Sequence, residues 1–167
     1  QVLLAKKAET LPVEVIVRGY ITGSLWREYE QGINGQYGFM LPEGLKKDQL
    51  FDQPIITPST KAQYGLHDEP IARKDIVNVL VEEKIYAKAE EYAVNLFNAG
   101  QEWAFQQGLI LVDTKYEFGM VEDELIVIDE IHTPDSSRYW IASEYEEHFN
   151  AGENQKMLDK ENIRQWL

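Results

Sequence analysis

Three charges at alternate positions of one strand constrain this chain more than any other feature in it. The segment is Leu111-Val112-Asp113-Thr114-Lys115-Tyr116-Glu117-Phe118-Gly119. Successive side chains of an extended backbone point to opposite faces, so Asp113, Lys115 and Glu117 share one face. Val112, Thr114, Tyr116 and Phe118 take the other, which predicts the packed side. A charged strand face does not close into a dry core unless something charged fills the space beside it. A metal–nucleotide complex or a polyanionic substrate suits that space, and the strand is expected to line an active site. Ile126-Val127-Ile128-Asp129-Glu130 follows after a turn.

The remaining chain must supply a core for such a strand. Its 167 residues suit one domain, and the hydrophobic and charged fractions, 44% and 27%, are those of an ordinary soluble globular protein. No run of about 18 apolar residues predicts a membrane span. The first residues lack the basic-then-apolar layout of a secretory signal. Without cysteine there are no disulfides or thiolate metal sites, which fits a reducing cytoplasm. The net charge of −13 argues against a nucleic-acid partner. Much of the acid is local, as in Glu144, Glu146, Glu147 and Glu153, and reads as a solvated helix face.

Along the chain, β-branched residues from 13 to 20 predict a strand, and residues 22–29 a helix. Residues 31–58, rich in Gly and Pro, predict mostly loop with a short strand near Ile55-Ile56. Ile76, Val79 and Leu80 make a short amphipathic stretch. Ile85, Ala89, Tyr92, Ala93, Leu96, Gly100, Trp103 and Ala104 then recur at three- and four-residue steps, predicting a long helix over 84–107 that packs on the sheet. Gly108 stops it, 109–118 forms a strand, 119–124 a turn and 125–131 the antiparallel return. Residues 133–138 form a loop leading to Tyr139-Trp140, and short helices finish the chain. The expected class is α+β, an antiparallel sheet packed on a long helix.

Four constellations have the composition for chemistry. Glu117 and Asp129 would make an oxygen-rich site suited to Mg²⁺ if the return strand brought them together. Both numbers are odd, so a shared face needs an odd loop or a bulge; otherwise these are unrelated surface charges. Arg18 with Gly23-Ser24 places an arginine beside a helix N-terminus, which is either a phosphate receptor or a routine N-cap by Ser24. Asp135-Ser136-Ser137-Arg138 is a polar turn close to the acidic strand. Lys61 with His67-Asp68-Glu69 offers a proton-transfer couple or a helix-entry cap with an incidental histidine.

Read together, these segments resemble the SAICAR synthetase (phosphoribosylaminoimidazole-succinocarboxamide synthase) family of purine biosynthesis. One signature of that family reads here Leu11-Pro12-Val13-Glu14-Val15-Ile16-Val17-Arg18-Gly19-Tyr20-Ile21-Thr22-Gly23-Ser24, and the second is Leu111 to Gly119. Thr57-Pro58-Ser59-Thr60-Lys61 through His67-Asp68-Glu69, and Thr133-Pro134-Asp135-Ser136-Ser137-Arg138-Tyr139-Trp140, are similar to the family too. The resemblance implies the C-terminal portion of an ATP-grasp or kinase-like fold. It implies an ATP-dependent amide-forming ligase acting on carboxyaminoimidazole ribonucleotide and L-aspartate, with Mg²⁺.

By position, the resemblance makes Glu117 and Asp129 metal ligands, and Arg18, Ser24 and Arg138 receptors for the ribonucleotide phosphate. Lys115 falls near the reacting carboxylate, and Asp113 and Asp135 line the nucleotide pocket. Lys61, His67 and Asp68 border the same cleft. Family members begin with a β-rich lobe that covers ATP, whereas this chain opens at Gln1-Val2-Leu3-Leu4, directly before the first signature. Residues 1–167 are therefore expected to be the central and C-terminal part of such an enzyme. Alone they should bind the ribonucleotide better than ATP, with absent or weak turnover. A catalytically silent nucleotide- or phosphate-binding module and a kinase-like phosphotransferase are the competing readings.

Overall fold

Valine alternation builds the centre of the sheet. The computed structural model describes residues 4–61 and 68–158. In β1 (Glu9–Tyr20), Val13, Val15 and Val17 are buried on one face, which leaves Glu14, Ile16 and Arg18 on the other. Antiparallel neighbours are β2 (Leu50–Ile56), β3 (Ser59–Thr60) and β4 (Leu109–Val121). Beyond β4 come β5 (Glu124–Ile128) and β6 (Ser137–Ile141), both antiparallel to it. The main path runs β2-β1-β4-β5, with β3 on β1 and β6 on β4. Pro12, which has no N–H to donate, sits where the β1–β4 register shifts between Thr10 and Glu14.

Among the described residues, the four α-helices divide unevenly. α1 (Gly23–Glu30) follows β1, α2 (Arg73–Asp75) runs into a π turn over Ile76–Leu80, and α4 (Tyr145–Ala151) lies near the end. The fourth, α3 (Glu83–Gln106), lays Tyr86, Ala89, Ala93, Phe97, Gly100 and Ala104 against the sheet. Their steps of three and four residues make one continuous stripe. With Val13, Val15, Val17, Tyr116 and Phe118 they form the main core. The α+β class and the sheet-on-helix packing thus agree with the sequence.

Details differ for physical reasons. Tyr86 and Phe97 belong to the stripe although the apolar spacing passed them over, and Trp103, counted into it, is 69% exposed. Of the stretch Ile76, Val79 and Leu80, only Ile76 is buried. Residues 137–141, read as the end of a loop, form β6. A register shift between Leu111 and Asp113 in the β4–β6 ladder marks a bulge. It turns Val112 away from the α3 core, into a second cluster with Tyr20, Trp140 and Tyr145.

Phe97 is fully buried between α3 and the sheet. Phe97→Ala is expected to cost about 3–5 kcal/mol through lost burial and the cavity left behind. That lowers the melting temperature by about 6–20 °C for a chain of this size. A fall below about 2 °C in a calorimetric scan would show that α3 is not the sheet's main support.

Candidate functional site

The register of β1 against β4 assembles the charged face. Arg18 lies opposite Asp113, Ile16 opposite Lys115, and Glu14 opposite Glu117. On the far side of β4, Asp113 pairs with Arg138 of β6. Directly paired residues share a face, so three strands contribute to one polar surface.

One end of it is an arginine nest. Arg138 donates Nε to Asp113 Oδ1 at 2.8 Å and Nη2 to Oδ2 at 2.5 Å. Arg18 adds Nη1 to the same Oδ2 at 3.2 Å, and reaches Thr57 Oγ1 at 2.7 Å and Ser24 Oγ at 3.3 Å. Burial lowers the pKa of Arg18 and the Asp113 carboxylate works against that shift; the guanidinium stays charged. Two guanidiniums meet on one carboxylate at this end.

Asp113 and Arg138 of the nest floor an open cleft of about 1090 Å³, walled by the start of α1, residues 134–137 and residues 154–158. Thr22, not Ser24, is the N-cap of α1, and it makes no side-chain capping bond to the helix. Ser24 instead accepts from Arg18. Gly23 has a left-handed φ of 59°, and an added Cβ there would fall on the Arg138 guanidinium. Its missing side chain is what lets Arg138 cross the helix N-terminus, where free N–H groups favour an anion.

The other end is a chain of alternating charges. Lys115 Nζ lies 2.9 Å from Glu14 Oε1 and 2.8 Å from Glu117 Oε1. Lys61 Nζ is bonded to the second oxygen of Glu117. For Glu117, burial favours the neutral acid, but hydrogen bonds from Lys115 and Lys61 outweigh it and the pKa is lowered. Glu14 is raised, chiefly by burial, with Lys115 opposing. Lys115 is itself raised, because bonds to both carboxylates overcome the desolvation that would lower it.

The structure thus gathers Arg18, Ser24, Asp113 and Arg138 into one group, and Lys61, Lys115 and Glu117 into another. Asp135 is exposed and lines the cleft beside Ser136 and Ser137. Asp68 is exposed and acts electrostatically on Glu14. His67 lies outside the described residues. Asp129 is exposed just beyond β5. The β4–β5 ladder runs without a shift from Val121↔Glu124 to Glu117↔Ile128, so it places Ile128, not Asp129, opposite Glu117. Neither the odd loop nor the bulge is there; a left-handed φ of 64° at Asp129 redirects the chain instead. No group of three or more metal-ligating side chains occurs among the described residues.

Sequence reasoning missed Glu14 and Thr57. The signal for Glu14 was a lone acid in a run of valines, two and four residues from Ile16 and Arg18. No local pattern announces Thr57, because it meets Arg18 only through the fold.

The comparisons agree with one another. A family model described as SAICAR synthetase matches residues 1–167. A phosphoribosylaminoimidazole-succinocarboxamide synthase of Bacteroides fragilis is 52% identical over 160 residues, covering 95% of this chain and 51% of the relative. The solved SAICAR-synthase of Saccharomyces cerevisiae, complexed with SAICAR, superposes with a TM-score of 0.80 at 43% identity. That match covers 96% of this chain and 50% of the yeast chain. A SAICAR synthetase in complex with ADP gives a TM-score of 0.70 at 28% identity, covering 95% of this chain and 57% of that one. The chain spans about half the length of these relatives.

Proposed function

Because the chain belongs to the SAICAR synthetase family, we propose that residues 1–167 supply the ribonucleotide-binding and metal-binding face of an ATP-dependent ligase. The reaction joins L-aspartate to carboxyaminoimidazole ribonucleotide, giving SAICAR, ADP and phosphate. The observation that carries this reading is the two-ended polar face: an arginine nest at a helix N-terminus, and an acid–lysine chain four residues further along β4. That spacing is about 14 Å, which suits a ligand with a phosphate at one end and a carboxylate at the other.

At the first end, Arg138, Ser24 and the start of α1 receive the ribonucleotide phosphate, with Asp113 holding Arg138 in place and Arg18 adding its charge from behind Asp113 and Ser24. Asp135 lines the same pocket, and Lys61 and Asp68 border the cleft. At the second end, Lys115 faces the reacting carboxylate. A carboxylate is a poor electrophile. Transfer of the ATP γ-phosphoryl to one of its oxygens makes that oxygen a leaving group. The aspartate amine then attacks the carbon, the C–N bond forms, and inorganic phosphate departs.

Magnesium asks a protein for one or two hard carboxylates and takes its other ligands from water and phosphate. The donor set fits: Glu117 is held ionised by two lysines, as a metal ligand must be. Glu117 would hold the ion, with Asp129 as second ligand from the left-handed turn just past Ile128 rather than from a position facing Glu117 across the ladder, and when bound the ion would offset charge on the transferring phosphoryl group. A β-rich lobe covering ATP would complete the site, so residues 1–167 by themselves favour the ribonucleotide.

Calorimetry of this chain with SAICAR and with Mg-ATP tests the reading. Saturable SAICAR binding with much weaker nucleotide binding is expected. In the complete polypeptide, of the relatives' length, ADP release should require both aspartate and the ribonucleotide. Binding of neither by this chain, together with no substrate-dependent ADP release, would overturn the proposal. SAICAR binding without turnover in the complete polypeptide would favour a silent binding module.

A further inference from the structure

Glu14 has no part in the roles assigned so far, yet its setting is costly. It is 7% exposed, in the middle of a strand of valines. It lies directly opposite Glu117, and two carboxylates facing each other on one sheet face repel. The Lys115 ammonium bridges them, 2.9 Å from one and 2.8 Å from the other. Ser59 Oγ donates to the remaining Glu14 oxygen at 3.4 Å.

The two acids are not equivalent partners for that lysine. Glu117 has its second oxygen on Lys61, and in the reading above it also turns toward a cation. A carboxylate engaged by a cation has less to offer Lys115. A lysine is a flexible four-carbon arm, and with no fixed acceptor its ammonium loses direction. Glu14 is fixed by the centre of the sheet and by Ser59, and faces Glu117 across the β1–β4 pairing.

We propose that Glu14 is a positioning residue: it holds the Lys115 ammonium at the reacting carboxylate while Glu117 is engaged elsewhere. This rests on the ligase reading for what Lys115 faces, though not for the contact itself. Burial raises the pKa of Glu14, and Lys115 is what works against that shift.

The test has two parts, so that failure of this inference and failure of the ligase reading are distinguishable. In this chain, with ¹⁵N-labelled lysine and saturating Mg²⁺ to engage Glu117, the hydrogen-bonded Lys115 ammonium should give a resolved N–H signal that Glu14→Gln broadens away. In the complete polypeptide, Glu14→Gln should lower kcat by about 100-fold, the cost of a misplaced group. KM for the ribonucleotide should stay within about twofold, because the phosphate end is untouched. Glu14→Asp, which keeps the charge on a shorter arm, should recover part of kcat. It also serves as the second variant if Glu14→Gln fails to fold.

An unchanged Lys115 signal in folded Glu14→Gln would overturn the proposal. So would a kcat within about threefold of wild type, or a rise in KM alone. If the wild-type complete polypeptide makes no SAICAR, the ligase reading fails, and the ammonium signal still decides whether Glu14 fixes Lys115.

Discussion

Glu117→Gln in the complete polypeptide is expected to abolish SAICAR formation, by about a thousandfold or more, equivalent to about 4 kcal/mol in the barrier. The amide matches the acid in shape and still accepts a bond from Lys115 or Lys61, so the fold should survive. What disappears is the charge. A neutral amide gives a hard cation one weak oxygen in place of an anionic pair, Lys61 loses its counter-ion and Lys115 keeps only Glu14, at the point where phosphoryl charge must be balanced.

Stability should change in a pH-dependent way. The folded pKa of Glu117 lies below its ordinary value of 4.5, so folding favours the ionised form. Its contribution is complete above about 4.5 and is lost as the pH falls through the lowered value. Melting curves of wild type and Glu117→Gln should therefore differ near neutrality and converge in acid. Turnover within about tenfold of wild type would remove Glu117 from the metal role.

Asp113→Ala is expected to destabilise the fold as much as Phe97→Ala does. Asp113 is the acceptor for three nitrogens of two arginines, one of them fully buried. Removing it leaves two guanidiniums side by side with no acid between them. Breaking a buried pair in this way costs about 3–5 kcal/mol, or about 6–20 °C in melting temperature. The same logic gives a second readout. Inorganic phosphate should raise the melting temperature of the variant more than that of wild type, because it restores a missing negative charge. A variant that melts within about 2 °C of wild type, with no added response to phosphate, would mean the nest is not electrostatically coupled.

Period-two alternation made the charged row legible in advance: Asp113, Lys115 and Glu117 share a face because a strand leaves them no other choice. The core face of α3 was legible in period but not in phase. Trp103 and Tyr86 are both aromatic and both near the stripe, and only packing against the sheet decides which one faces inward. β6 was hidden because Pro134-Asp135-Ser136 is turn chemistry, and five residues after it are too few to announce a strand. The two nests were half legible. Lysine and acid positions stood out, whereas Glu14 and Thr57 meet their partners across strand pairings that no local spacing encodes.

The bulge between Leu111 and Asp113 makes β4 unequally tolerant of length changes. A lone deletion at 110–112 would remove the surplus residue and let the ladder run straight, sparing the phase of everything after it. The same deletion at 114–117 would rotate what precedes it by half a turn and drive an ionised side chain into the aliphatic layer beneath α3. Viable natural or engineered indels in this strand should therefore collect upstream of Asp113, and a survey of tolerated deletions would reveal that polarity.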